Sequence, residues 1–203
     1  MLTGEAHSLR IPGDAGAEPI LTQDETPCVI YTVPGGVRSK EVDLPKRAVV
    51  LTISDGVAAG TREDRSGEVA ATRLRELGFD VVDQAVVPDD RDEIRKRLRN
   101  WVAGGASDLI IATGGTGLGS RDVTPEAVRD VIEKELPGYG ELLRADGLQH
   151  TPMASLSRSL AGTAGKTLIV ALPGSPDAVG EGLAALGPTL AHALDILAGG
   201  HDH

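Results

Sequence analysis

Residues 108–126, DLIIATGGTGLGSRDVTPE, constrain this chain more than any other stretch. Leu109-Ile110-Ile111 is a short apolar run of the kind that forms a buried strand. It breaks into Thr113-Gly114-Gly115-Thr116-Gly117, where glycine frees the backbone to turn with positive φ and to approach a ligand closely. Arg121 and Asp122 follow. Thr124-Pro125-Glu126 then reads as a helix start, with a hydroxyl cap, a proline at the first helical position and an acid in the first turn. Strand, glycine loop and helix N-terminus together aim backbone N–H groups at an anion. A glycine-rich turn without a ligand is the plain alternative. Two hydroxyls, an arginine and an aspartate in the same loop favour the phosphate site.

An anion bound here is held against the field of the whole chain, which carries a formal net charge of −10. The donors must therefore be local. The same charge argues against a nucleic-acid surface, and an aromatic content of 2% leaves no platform for base stacking. The single cysteine, Cys28, rules out an internal disulfide and fits a reducing, cytoplasmic setting. No basic segment followed by an apolar core marks a signal peptide, and no run approaches the roughly 18 apolar residues of a membrane helix.

Residues 1–46 form a separate zone rich in Gly, Pro, Asp and Glu, with short strand-like runs at residues 19–21 and 28–33. They read either as a disordered tail or as a partly ordered extension packed on the core or on a neighbouring subunit. From Arg47 the pattern changes. Residues 48–53 form an apolar strand ending at Ser54-Asp55-Gly56. Helix is expected over residues 66–77, a second strand over 79–87 ending at Pro88-Asp89-Asp90, and a charged helix over 90–102 with Ile94, Leu98 and Trp101 inward. After the glycine loop, helices are expected over 125–134 and 140–148. Residues 151–160 are ambiguous. Residues 166–172 form a clear strand, and Pro173-Gly174-Ser175-Pro176 leads into a helix pair over 177–186 and 188–197. His201 and His203 lie in a short tail without a third suitably spaced ligand, so a metal site is not expected there. Strands alternating with helices predict an α/β fold, a mostly parallel sheet covered by helices on both faces.

In such a sheet, ligands bind beyond the carboxyl ends of the strands. Four polar loops follow four strands, which brings Asp89 and Asp122 toward one site. Two carboxylates beside a phosphate loop suit Mg2+. The plain alternatives are a helix cap for Asp89 and a loop-bracing hydrogen bond for Asp122. Ala164-Gly165-Lys166-Thr167 imitates the end of a Walker A loop, but Leu160 stands where that pattern needs glycine and a strand follows where it needs a helix.

Six segments then carry a family resemblance: LTISDG at 51–56, DRSG at 64–67, VVPDD at 86–90, TGGTGLGSRDVTPEA at 113–127, SLSRSLAG at 155–162 and LPGSPDAV at 172–179. In order and spacing the chain resembles the molybdopterin adenylyltransferases, which include bacterial Mog and MoaB proteins. The resemblance covers residues 47–199 and implies a three-layer α/β sandwich assembled as a trimer or hexamer. It implies Mg2+-dependent reaction of ATP with molybdopterin, giving adenylyl-molybdopterin and pyrophosphate for a downstream molybdenum-insertion enzyme. By the same resemblance, Asp89 and Asp122 serve Mg2+ binding and catalysis. Thr113, Gly114, Gly115, Thr116, Gly117, Arg121, Thr124 and Glu126 belong to the nucleotide-phosphate loop. Ser54, Asp55, Ser157 and Arg158 match positions lining the pterin-phosphate and nucleotide region, and Pro173, Gly174 and Ser175 match the loop near the nucleotide. One departure stands out: Gly147 occupies a position where many relatives carry serine. Two other functions remain open, a non-catalytic MoaB-type molybdopterin carrier and a nucleotide-processing enzyme using the same phosphate loop.

Overall fold

The computed structural model describes residues 28–33, 36–41, 45–105 and 107–199. The chain divides into two units, residues 1–44 and 45–203. In the first, β1 (Cys28–Val33) pairs antiparallel with β2 (Gly36–Glu41). The strand expected over residues 19–21 and the two tail histidines lie outside the described residues.

The second unit is built on a six-stranded sheet. Its strands are β3 (Arg47–Ile53), β4 (Asp80–Val87), β5 (Leu109–Thr113), β6 (Lys134–Glu135), β7 (Leu160–Ala164) and β8 (Thr167–Leu172), in the order β4-β3-β5-β8-β7-β6. Strands β4, β3, β5 and β8 run parallel, while β7 is antiparallel to both β8 and β6. The three central apolar runs behave as their composition dictates: every residue of β5 and β8, and all of β3 but Arg47, is buried. On one face, α2 (Arg65–Glu76), α5 (Pro137–His150) and α6 (Pro176–Ala198) cover Val50, Ile111 and Val170. On the other, α3 (Arg91–Ala103) and α4 (Thr124–Arg129) cover Leu51, Ile110 and Ile169. This alternation of faces along each strand gives the expected three layers.

Four local expectations change. The ambiguous stretch contains a 3-10 helix (Pro152–Leu156) and the start of β7. Its Leu-Ala-Gly-Thr-Ala run is too short for periodicity to separate strand from loop. Helix α4 stops at Arg129, not residue 134, because Lys134 and Glu135 are taken into the sheet beside β7. Val131 and Ile132 still pack against the core from the connecting turn. Helix α5 starts at Pro137, not residue 140, since a proline in the first turn needs no donated N–H. The expected pair of C-terminal helices is one helix, α6, with Pro188 inside it. Gly187 has no Cβ to clash with the proline ring, and buried Leu183, Leu186, Leu190 and Leu194 hold both halves on one face. The Walker-like decoy is the β7–β8 turn, with Gly165 at φ +56°.

One contact ties the first helix layer to the sheet edge that matters. Asp64 caps α2 by accepting the Gly67 N–H at 2.8 Å, and its other oxygen accepts the Thr52 hydroxyl at 2.7 Å. Gly67 is required, because a Cβ there would lie 2.3 Å from the Asp64 carboxylate. Replacing Asp64 with alanine removes the cap and strands a buried hydroxyl. The expected cost is about 2–3 kcal/mol, read as a lower urea midpoint at unchanged m-value.

Candidate functional site

The parallel strands β3, β4, β5 and β8 place their four following loops on one sheet edge, as the sequence predicts. Gly114 is where three of them meet. Its φ is +105°, and its N–H donates to the Leu172 carbonyl at 3.1 Å. An added Cβ would lie 2.2 Å from the Ile53 carbonyl oxygen, so only glycine lets β5 end this close to β3. Gly174 packs its missing side chain against the Gly114 Cα, and the buried Thr113 hydroxyl donates to the Pro173 carbonyl at 2.7 Å. The loop after β8 is thereby fixed to the glycine loop.

Arg158 fixes the third wall. Its main-chain N–H donates to the Thr116 carbonyl at 2.9 Å, and its Nε donates to the Gly117 carbonyl at 2.8 Å. Its two terminal nitrogens donate to the Asp122 carbonyl and to Glu126. Burial raises the Glu126 carboxyl, but the hydrogen bond and charge of Arg158 outweigh it and hold the group below its ordinary value. Arg144, which sequence reasoning missed, donates to the Ser159 carbonyl at 2.9 Å and props the Ser157–Ser159 turn from α5. Nothing in its spacing marks it, because a helical arginine usually reads as solvated.

Between these walls lies a cavity of about 460 Å³. Gly115, Thr116, Gly117, Asp122, Ser157 and the Pro173-Gly174-Ser175 loop line it, and α5, the 3-10 helix and α6 close it. Ser175 also caps α6 by accepting the Ala178 N–H, which leaves its own O–H available. Gly147 lines the cavity too. A Cβ there would sit 2.8 Å from the Ala154 Cβ, so glycine permits close contact between α5 and the 3-10 helix. Glycine at this position thus has a packing reason.

Asp89, Ser54, Asp55 and Arg121 sit together beside this cavity rather than in its lining. The Asp55 N–H donates to Asp89 Oδ2 at 2.8 Å, and the Asp89 N–H donates to Asp55 Oδ1 at 3.0 Å. Arg121 clasps Asp55 with two bonds of 3.1 and 2.8 Å, and holds that carboxyl below its ordinary value. Ser54 caps the short helix α1 (Asp55–Ala58), accepting the Val57 N–H. Asp89 is not the cap of α3. Asp90 is, accepting from Asp92 and Glu93. Asp89 Oδ1 instead approaches Gly115, lying 3.1 Å from where a Cβ would stand. Burial pushes its carboxyl above its ordinary value against the hydrogen bond from Asp55, and the charges of Asp55 and Asp122 add to the rise. Asp122 does brace its own loop, accepting the Gly119 N–H at 2.7 Å, while also lining the cavity.

Thr124 is a correction. Val123 occupies the cap position of α4, and Thr124 is the first helical residue. Its side chain is fully buried, and its hydroxyl has no partner among the described residues. That oxygen lies 2.5 Å from the Cβ position of Gly115, on the side Asp89 approaches. One Glu126 oxygen is likewise unpartnered. The unpartnered Thr124 hydroxyl and the Asp89 carboxylate, both beside the open backbone of Gly115, fit a phosphate and a magnesium ion. Among the described residues, no cluster of three or more His, Cys, Asp or Glu is placed to hold a metal by itself.

Residues 49–192 match the family described as the probable molybdopterin binding domain. The chain belongs to this family. It is 40% identical over 154 residues to the molybdopterin adenylyltransferase of Helicobacter pylori, covering 75% of this chain and 88% of that protein. It is 38% identical over 136 residues to molybdenum cofactor biosynthesis protein B of Escherichia coli K12, covering 66% and 79%. The crystal structure of the molybdopterin biosynthesis enzyme MoaB from Thermus thermophilus superposes with a TM-score of 0.72 at 45% identity, covering 76% of this chain and 97% of that one. Among the described residues, no helix is long and apolar enough to cross a membrane.

For the family site, the Asp89 environment carries a pH signature. A carboxyl raised on folding adds stability that is present below its unfolded value, near pH 4, and is lost as pH rises through the folded value. Asp89→Asn keeps an acceptor for the Asp55 N–H and removes the disfavoured charge. It should raise Tm by a few degrees at most at pH 7, with the gain shrinking toward pH 4 in a scanning-calorimetry series.

Proposed function

We propose that residues 47–199 catalyse Mg2+-dependent transfer of AMP from ATP to the terminal phosphate of molybdopterin, within molybdenum-cofactor biosynthesis. The observation that carries this reading is the convergence of the glycine loop, Asp89 and Asp122 on one sheet edge beside a 460 Å³ cavity. The name of the H. pylori relative supports the choice of reaction.

In this reaction an oxygen of the molybdopterin phosphate attacks the α-phosphorus of ATP. The bond from the α-phosphorus to the bridging oxygen breaks, and pyrophosphate leaves. The protein's task is to hold two anions in line and to offset their repulsion. The N–H groups of residues 115–117 supply fixed donors for phosphate oxygens, while the Gly114 N–H is already spent on the Leu172 carbonyl. Hydroxyls of Thr116, Ser157 and Ser175 orient groups inside the cavity. Asp89 and Asp122, with the Thr124 hydroxyl, are the oxygens that would hold Mg2+. When bound, the ion neutralises charge building on the phosphates. Leu143, Met153 and Leu156 give the cavity an apolar wall suited to a flat heterocycle. Cytoplasmic localisation, a trimeric or hexameric assembly, and hand-over to a molybdenum-insertion enzyme follow from the same reading.

A carrier that binds molybdopterin without turnover is the second reading, and the family description, which names binding alone, keeps it in view. The deciding experiment mixes purified protein with molybdopterin, ATP and Mg2+ and separates the products. Adenylyl-molybdopterin and pyrophosphate should form and should vanish when Mg2+ or molybdopterin is withheld. Asp122→Asn should lower turnover by about 10³-fold or more while pterin binding changes less than about twofold. Normal turnover in that variant would remove Asp122 from the chemistry. Pterin binding without product in the parent protein would establish the carrier.

A further inference from the structure

Arg158, Arg144 and Arg121 surround the glycine loop and its neighbouring walls, and they are committed to different degrees. Arg158 donates to two main-chain carbonyls and to Glu126. Arg144 donates to the carbonyls of the Ser157–Ser159 turn. Both hold loops in place, and neither can move without unmaking a wall of the cavity. Arg121 is different. Its partner is one carboxylate, Asp55, and the pair is open to solvent, with side-chain exposures of 62% and 50%. Exposed pairs are weak, because each partner can replace the other with water. Arg121 immediately precedes Asp122, which lines the cavity beside residues 115–117.

Asp55 is equally distinctive. The family resemblance makes it a substrate-lining residue, yet both its carboxylate oxygens are occupied. Oδ1 accepts from the Asp89 N–H and from Arg121, and Oδ2 accepts from Arg121. Its own N–H holds Asp89 Oδ2. One residue therefore sets the position of the anionic Asp89 and parks the cation that an anionic substrate needs.

We propose that Asp55 is a positioning residue and that its pair with Arg121 is a hand-over latch. An arriving polyphosphate takes the Arg121 guanidinium from Asp55, while the two reciprocal main-chain bonds keep Asp89 in place. The planar guanidinium meets phosphate oxygens with two parallel hydrogen bonds, as it meets the carboxylate. In the empty site, Asp55 offsets a cation close to Asp89. In the loaded site, the same cation offsets the phosphates. The latch rests on the adenylyltransferase reading only in requiring a polyphosphate at the glycine loop.

The latch makes a counter-intuitive prediction. Asp55 competes with the substrate for Arg121, so weakening it should tighten phosphate binding. Asp55→Asn keeps an acceptor for the Asp89 N–H and removes the charge facing Arg121. With inorganic pyrophosphate as the probe, at fixed excess Mg2+, calorimetry on the full chain should show Kd falling roughly three- to tenfold in Asp55→Asn. Arg121→Gln should weaken binding by about tenfold or more. In the Arg121→Gln background, Asp55→Asn should change Kd by less than about twofold. That coupling separates the latch from simple removal of a negative charge, which would tighten binding equally in both backgrounds. Steady-state kinetics should show the matching split: a lower apparent KM for ATP in Asp55→Asn without a rise in kcat.

Unchanged or weaker pyrophosphate binding in Asp55→Asn, equal tightening in both backgrounds, or no pyrophosphate binding by any of the four proteins would overturn the latch. A parent protein that forms adenylyl-molybdopterin without the coupling would refute the latch alone. Coupling without that product would refute the adenylyltransferase reading and leave the latch standing.

Discussion

The absence of a side chain at residue 114 is the constraint on which the functional edge depends. Strands β3, β5 and β8 end side by side, and their following loops must leave the sheet without colliding. Gly114 resolves this by turning at φ +105° against the Ile53 carbonyl, while its N–H closes onto Leu172 of the neighbouring strand. Gly174 then fits against its Cα, and Thr113 locks the Pro173 carbonyl. The following residues, 115–117, are left on the open side with Asp122, Ser157 and Ser175 around them. A backbone held this firmly meets an anion with donors already in place, so little is lost to ordering on binding.

Charge at this edge is divided by task. The chain is strongly acidic, and an anionic ligand must be met by local groups. Arg158 and Arg144 work as struts whose charge is largely turned toward carbonyls and Glu126. In the proposed site, the main-chain amides of residues 115–117 and Arg121 are the donors that would meet the ligand. The opposing carboxylates are also divided. Asp55 is neutralised by Arg121, Glu126 by Arg158, while Asp89 carries a charge that its surroundings disfavour. A carboxylate held under such pressure gains from a cation, which is the property a magnesium ligand needs.

Much of this was legible in the sequence, for identifiable reasons. Central strands β3, β5 and β8 are apolar runs bounded by polar loops, and parallel strands place such loops on a common edge. The glycine loop announced itself because positive φ and close approach leave a compositional mark. What escaped was set by tertiary context. The short antiparallel β7 and two-residue β6 carry no periodicity, and α4 is cut short by a sheet contact far along the chain. Pro188 reads locally as a helix boundary, yet Gly187 and a buried leucine stripe carry α6 through it. At the site, Asp89 and Asp122 were recognisable as acids after strands. The reciprocal bonds between Asp55 and Asp89 were not, because they join residues 34 apart through main-chain groups that no motif encodes. Thr124 illustrates the same limit: its cap-like sequence context hid a buried, unpartnered hydroxyl.

The central claim is that the glycine loop on the carboxyl edge of the sheet is the anion site. The most direct test is an amide chemical-shift titration of isotope-labelled protein with pyrophosphate and Mg2+. The account predicts the largest shifts at the N–H groups of residues 115–117, with Arg121, Asp122 and the Gly174-Ser175 amides following at the same ligand concentration. Shifts concentrated instead at the opposite sheet edge, around Gly105 and Gly165, with the glycine loop unmoved, would contradict it.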